Sequence, residues 1–181
     1  MEFINAKGRG CHIFKKDLRR AYRQIPIDPA DYRLLGMCID GSIYFHTLLP
    51  FGLRSATLIC QRTTKSVVHI LNNEGISVDV YIDDFYGTES PSCSNQSFQR
   101  MNSLFTELGL LASPEKDVPP CHQMLCLGIW IDTLDMTLSV PAHYKFTPIS
   151  PNFGVIKYSY IQAIVLAIVD YLPKNPQAEF L

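Results

Sequence analysis

Two adjacent aspartates, Asp83 and Asp84, stand between short β-prone runs at residues 78–82 and 85–88, which puts them in a hairpin turn. A third, Asp17, lies just past a short strand expected at residues 12–14 and opens a brief helical stretch that Pro26 stops. Carboxylates gathered at one sheet edge repel and raise one another's pKa, so a fold that gathers them neutralises them with a hard cation such as magnesium. Two such ions roughly 3.5–4 Å apart stabilise both the attacking and the leaving oxygen of a phosphoryl displacement. Adjacent aspartates are also ordinary turn residues. The chemistry therefore depends on whether the chain brings Asp17 beside the hairpin.

The elements that would do so can be read from the apolar spacing. From residue 55 to 72, Ala56, Ile59, Cys60, Thr63, Val67, Ile70 and Leu71 follow a helical repeat, with Gly75 just beyond the end and Gln61, Arg62, Lys65 and His69 on the opposite face. Residues 42–48 form a strand or hairpin arm broken by Pro50, Phe51 and Gly52. Phe98, Met101, Leu104, Phe105 and Leu108 mark a second helix, capped near Ser94 and ended by Gly109. Residues 110–112 read as a short strand and 124–131 as a stronger one, followed by a turn at 133–135 and a partner arm at 136–140. Strand, helix, hairpin, helix, strand is the split β-α-β order of ferredoxin-like α+β domains, an antiparallel sheet with packed helices. In that sheet the strand leading to Asp17 lies beside the Asp83–Asp84 hairpin, and three carboxylates converge. Fold by itself says nothing of chemistry.

Composition sets limits. A chain of 181 residues, 47% hydrophobic and 18% charged, suits one globular domain with a real core. A net charge of −1 lacks the basic balance of a phosphate binder. Yet Lys7, Arg9, Lys15, Lys16, Arg19, Arg20 and Arg23 face only Glu2 and Asp17 in the opening stretch, a local basic footprint. The six cysteines have no regular spacing and no secretory signal opens the chain, so reduced thiols in an intracellular protein, cytoplasmic or nuclear, are expected. Cys121, His122 and Cys126 lack a second pair at a finger-like distance, so zinc is not expected there. The apolar run 161–172 is interrupted by Asp170 and falls short of the roughly 20 residues a membrane span needs.

Read with their neighbours, these residues resemble a known family. Phe14-Lys-Lys-Asp17-Leu-Arg-Arg-Ala-Tyr22-Arg-Gln-Ile-Pro-Ile, then Leu49-Pro-Phe-Gly52-Leu-Arg-Ser-Ala, then Tyr81-Ile-Asp83-Asp84 resemble successive reverse transcriptase motifs in the right order. Leu108-Gly-Leu-Leu with Pro114-Glu-Lys116 looks like the following palm motif, and Leu127-Gly128-Ile-Trp-Ile-Asp132 looks like the primer-grip hairpin. The resemblance runs from about residue 11 to residue 141. It implies residues 1–10 as a leader and remnant of fingers, 11–141 as an RNA-directed DNA polymerase palm of an LTR- or DIRS-like retroelement, and 142–181 as an unrelated or poorly ordered tail.

Carried onto this sequence, the resemblance makes Asp17 and Asp83 the principal ligands of two magnesium (or manganese) ions, Asp84 the third carboxylate and the Leu18 carbonyl a further oxygen. Tyr22 becomes the aromatic gate that fills the volume a ribose 2′-OH needs. Phe51 and Gly52 line the nucleotide pocket, Lys116 stands near the triphosphate, and Gln61, Arg62, Leu127 and Gly128 fall on template or primer. The implied partners are an RNA or DNA template with a DNA primer, and deoxynucleoside triphosphates. Thr57 and Cys60 depart from the proline and phenylalanine the family often has there. Family members carry fingers before the first motif and thumb, connection and ribonuclease H regions after the last. These are expected to be missing here, leaving the isolated chain near background activity. The alternatives are an inactive remnant or binding module that keeps the palm fold, and a carboxylate-cluster metal hydrolase, against which Tyr22 and Pro50-Phe51-Gly52 argue.

Overall fold

The computed structural model describes residues 2–141; the expected tail at 142–181, with its apolar run, lies outside the described residues. In chain order the elements are α1 (Glu2–Lys7), β1 (His12–Asp17), β2 (Gly36–Ile39), β3 (Ser42–Phe45), α2 (Ala56–Asn73), β4 (Ser77–Tyr81), β5 (Asp84–Glu89), α3 (Ser94–Glu107), β6 (Val118–Cys121), β7 (Gln123–Cys126), β8 (Ile129–Asp132) and β9 (Thr137–Ser139), with 3-10 turns at Ala21–Gln24, Pro29–Leu35 and Pro114–Lys116. The main sheet has the order β4-β5-β1-β6 and every pairing in it is antiparallel. With α2 linking β1 to β4 and α3 linking β5 to β6, this is the split β-α-β arrangement, an α+β palm-like fold.

Both helices are held by burial and finished by glycine. In α2 the buried stripe is Ala56, Cys60, Thr64, Val67, Val68 and Leu71. Beyond it Gly75 takes φ +83°, its N–H donating to the Asn72 carbonyl while the Ile76 N–H donates to Leu71. That is a Schellman end, and only glycine enters it without strain. Gly109 and Leu110 close α3 the same way onto Thr106 and Phe105.

One face of the sheet meets these helices through Phe14, Val78, Val80 and Phe85 against Cys60, Val67, Leu71, Met101, Leu104 and Phe105. The other face carries a smaller cluster of Ile4, Cys11, Ile13, Met124 and Cys126, with Tyr86 packed on it. At the centre Phe14 pairs with Gly87, whose missing side chain leaves room for the ring.

Three expectations need correction. The first strand does not stop at residue 14 but runs through Lys15 and Lys16 to Asp17, and the following helical turn starts only at Ala21. Lys16 can stay in a strand because its ammonium lies over the Phe98 and Phe105 rings, 5.4 and 5.7 Å from their centroids, and pairs with Asp117. The fourth strand is Val118–Cys121, not 110–112, which adds only a bridge between Leu18 and Ala112. Its two prolines are tolerated because β6 is an edge strand, where a missing N–H breaks no ladder. Finally, the single strand expected at 124–131 is two arms, β7 and β8, folded about Leu127 and Gly128 at φ +49° and +83°. Positive φ at both central residues is the hairpin turn that matches strand twist. With β9 these arms make a separate three-stranded sheet.

Candidate active site

The corner where β1 ends and β5 begins is built by register. Asp17 and Asp84 are Cα partners at the last pair of the β1–β5 ladder, and Tyr81 pairs with Asp84 across the β4–β5 hairpin. Ile82 and Asp83 are therefore the two turn residues, with Asp84 already in the strand. Ile82 has φ +59°, a conformation that costs an L-residue about 1–2 kcal/mol and is unusual for a β-branched one.

The surroundings hold that turn in place. The Gln61 side chain on α2 accepts from the Ile82 N–H at 2.7 Å and donates to the Val80 carbonyl at 3.0 Å. From the other side the Leu18 N–H donates to the Asp83 carbonyl at 3.0 Å. Asp17 is fixed by the Ser113 N–H on its own carbonyl at 2.8 Å. Just beyond, the Gln24 amide donates to the Arg19 and Leu111 carbonyls and accepts from the Leu111 N–H, fastening the segment after Asp17 to residues 110–112.

Charge at the corner is only partly balanced. Asp17 is buried, and its Oδ1 accepts from the Lys116 ammonium at 3.0 Å. Lys15 lies 2.8 Å from Asp84 Oδ1, a buried oxygen that no hydrogen bond satisfies. Burial pushes the Asp83 carboxyl above its ordinary range, and Asp17 and then Asp84 push it further, with Lys116 opposing. The hydrogen bond to Asp17 holds the Lys116 ammonium above its usual value. Burial, helped by Asp83, raises the Cys60 thiol to about 11.

Among the described residues no three His, Cys, Asp or Glu side chains are drawn into a ready-made metal cluster. Asp17 is turned onto Lys116 and Asp84 faces Lys15. The donor set nonetheless fits a hard cation. It offers only oxygens, and the carboxylates repel one another.

A second group sits on the neighbouring loops. The rings of Tyr22 and Phe51 lie 4.8 Å apart at 42°, and the Tyr22 hydroxyl donates to Thr57 Oγ1 at 3.2 Å. Thr57, a departure from the family pattern, thus touches the residue expected to gate the sugar. Gly52 follows Phe51 at φ +87°, and Phe51 is exposed. Cys60, the other departure, is fully buried, with Sγ 4.0 Å from the Ile82 carbonyl. Arg62 is exposed on α2, and Leu127 and Gly128 form the tip of the β7–β8 hairpin.

Residues 1–131 match the family described as "Reverse transcriptase (RNA-dependent DNA polymerase)". The chain belongs to the reverse transcriptase family. It is 27% identical over 169 residues to the genome polyproteins of two isolates of Petunia vein clearing virus, Shepherd and Hohn. That alignment takes in 90% of the chain and 7% of each polyprotein. Among solved structures, a foamy viral protease-reverse transcriptase in complex with RNA/DNA hybrid shares the fold at TM-score 0.63 and 22% identity, over 73% of this chain and 17% of that one. A second foamy viral protease-reverse transcriptase structure, dRH in complex with ds DNA, gives TM-score 0.67 and 15% identity over 91% and 28%.

Two features of this reverse transcriptase domain were not read from the sequence. Lys15 as the partner of Asp84 was discoverable, since it alternates with Asp17 along one strand and so shares its face, once that strand is carried to residue 17. The engagement of Gln61 with the hairpin had no signal, because a glutamine on a polar helix face looks solvated until another element docks on it.

Proposed function

We propose that this domain carries the nucleotidyl-transfer corner of an RNA-directed DNA polymerase, which joins a deoxynucleotide to a primer 3′-OH on an RNA or DNA template. The single observation behind this reading is the register that pairs Asp17 with Asp84 and sets Asp83 in the adjoining turn. Asp17, Asp83 and the Leu18 carbonyl would hold the metal ions, with Asp84 as the third carboxylate. Two magnesium ions bound there would supply charge stabilisation for the attacking and leaving oxygens.

The chain's own groups do the rest. The Lys116 ammonium is protonated at neutral pH and lies beside Asp17, where it can hold the departing pyrophosphate or give it a proton. Tyr22, braced by Phe51 and Thr57, fills the volume of a 2′-OH and so favours deoxynucleotides. Gly52 lets backbone approach the incoming nucleotide. Nucleic-acid binding is supported by the similar folds solved with RNA/DNA hybrid and with ds DNA. Among the described residues no helix is long and apolar enough to cross a membrane.

The test is extension of a DNA primer on an RNA template with magnesium and deoxynucleotides. It is run on the chain alone and on the chain fused to fingers and thumb segments of a solved reverse transcriptase, each with an Asp83→Asn control. In-line positioning accounts for roughly 7–11 kcal/mol of such a barrier, so extension is expected to be fastest where the primer terminus is best held. Extension that survives Asp83→Asn would remove the corner from the mechanism.

A further inference from the structure

We propose that His12 and His122 form a two-histidine binding site for a divalent ion of the zinc, copper and nickel group, separate from the carboxylate corner. His12 opens β1 and His122 is the turn residue between β6 and β7, so only the folded chain brings them together. Their rings stand 4.5 Å apart at an interplanar angle of 72°. An ion about 2.0–2.1 Å from one nitrogen of each ring, at a coordination angle of roughly 90–109°, would hold the two ring centres ~4.5–5 Å apart. The rings already have that spacing.

Hydrogen bonding fixes which nitrogen is free. The Ser94 hydroxyl gives its proton to the Pro91 carbonyl at 3.2 Å, so towards His12 Nδ1, 2.8 Å away, it acts as acceptor. The Thr133 hydroxyl gives its proton to the Cys11 carbonyl at 2.6 Å and faces His122 Nδ1 at 3.4 Å, again as acceptor. Both hydroxyl residues are fully buried. Each ring therefore carries its proton on Nδ1 and leaves the Nε2 lone pair for a ligand, the arrangement in which an outer hydrogen bond orients a metal-binding histidine. Burial, and then His122, hold His12 below the ordinary histidine range, so its ring is neutral at pH 7 as a ligand must be.

The donor type selects the ion. Imidazole suits zinc, copper and nickel, whereas magnesium keeps to oxygen. Cys121, next to His122, takes no part: burial raises its thiol, which donates to the Gln123 carbonyl at 3.1 Å. Two protein nitrogens leave the other positions to water, and both histidines are partly exposed. An ion held there would clip the start of β1 to the turn that leads into the β7–β9 sheet, and would stabilise the folded chain by mass action.

The experiment records NMR spectra of the imidazole nitrogens in the full, metal-free chain and follows them as Zn²⁺ is added. The expected result is both rings protonated on Nδ1 before addition, then a shift of the two Nε2 signals along one binding curve. Ring-resolved signals separate this site from any uptake by the exposed Cys38 and Cys93. Mg²⁺ should shift neither ring. His12→Gln should abolish the His122 shift and His122→Gln the His12 shift, while Thr133→Val should weaken binding by about 10–100-fold, the usual cost of losing an orienting partner. Cys121→Ser should leave binding unchanged. A proton on Nε2 of either ring in the metal-free chain, or a response from only one ring, would overturn the site and leave an edge-to-face ring pair. Loss of binding in Cys121→Ser would overturn it in favour of a thiol ligand. The spectra of the native chain decide the matter even where a substituted chain does not fold.

Discussion

Gly87 is the position where one added methyl group should be felt most. A Cβ built there meets two ring carbons of Phe14 at 2.3 and 2.4 Å and a third at 3.1 Å. The ring would have to retreat by about 0.7 Å simply to reach 3.0 Å. It has nowhere to go: Phe14 is fully buried, edge-on to Phe98 at 5.8 Å, within the cluster that joins sheet and helices. Overpacking of this kind costs about 1–3 kcal/mol. The loss of unfolded-chain freedom on replacing glycine returns about 0.4–1 kcal/mol. Gly87→Ala is therefore expected to destabilise by about 1–2 kcal/mol, which moves a urea midpoint down by about 1 M at an ordinary m-value. Phe14→Leu should relieve the clash, so the double variant should be more stable than the sum of its parts by more than about 0.5 kcal/mol. The same register that pairs Phe14 with Gly87 pairs Asp17 with Asp84, so sliding β1 to accommodate the methyl would also shift the carboxylates. A Gly87→Ala midpoint equal to the native one, or additive energies in the double variant, would refute the packing argument.

Asp83→Asn is expected to stabilise the fold at pH 7 while abolishing extension. The native Asp83 carboxyl holds its proton more tightly folded than unfolded, so its penalty is absent below the ordinary carboxylate pKa and grows as pH rises through the folded value. Urea melts should show the variant ahead at pH 7 and the gap closing toward pH 3; an equal gap at both would sink the assignment. Asp117→Ala strands the buried Lys16 ammonium and should cost about 3–5 kcal/mol by the same melts, much of it recovered by adding Lys16→Met; a cost below 1 kcal/mol would contradict the burial of that pair. Tyr22→Val, in whichever form extends a primer, should lower discrimination against ribonucleotides by about one to two orders of magnitude, and unchanged incorporation ratios would remove Tyr22 from the gate.

The helices and the meeting of Asp17 with the hairpin were legible because both follow from periodicity and order. Cys60, Val67 and Leu71 repeat at helical spacing, and a split β-α-β order leaves one place for the strand that ends at Asp17. Even so, the stripe was off by a residue in places: Ile59 and Ile70 are partly exposed, while Thr64 and Val68 are buried. The fourth strand was not legible, since the two prolines of Val118-Pro-Pro-Cys121 argue against a strand and the segment is held by its edge position against β1. The partners of Lys16 and Gln61 were not legible for a shared reason. Each is a polar residue whose partner, Asp117 or the Ile82 turn, lies far along the chain, and local sequence carries no trace of a distant partner.

The two lysines at the corner are not equivalent, and the difference bears on how carboxylates can be gathered without unfolding the sheet. Lys116 pairs with Asp17 from a side chain that is 57% exposed, whereas Lys15 and Asp84 are 17% and 22% exposed. Lys116 passes readily into water, but Asp17 is 5% exposed, so that pair parts only when another cation takes the ammonium's place. In the other pair both members are enclosed, and separation leaves two charges poorly solvated. Under the proposed function, a divalent cation would replace the ammonium at Asp17, leaving Lys116 near the same oxygen to meet phosphate. Asp84 stays tethered to Lys15 and plays the lesser part. Asp83 is the one carboxylate with no lysine of its own, and burial and like charge raise its free energy when ionised. The repulsion that strains this turn is thus the same interaction that a bound cation would relieve, so affinity for metal and instability without it have one physical source.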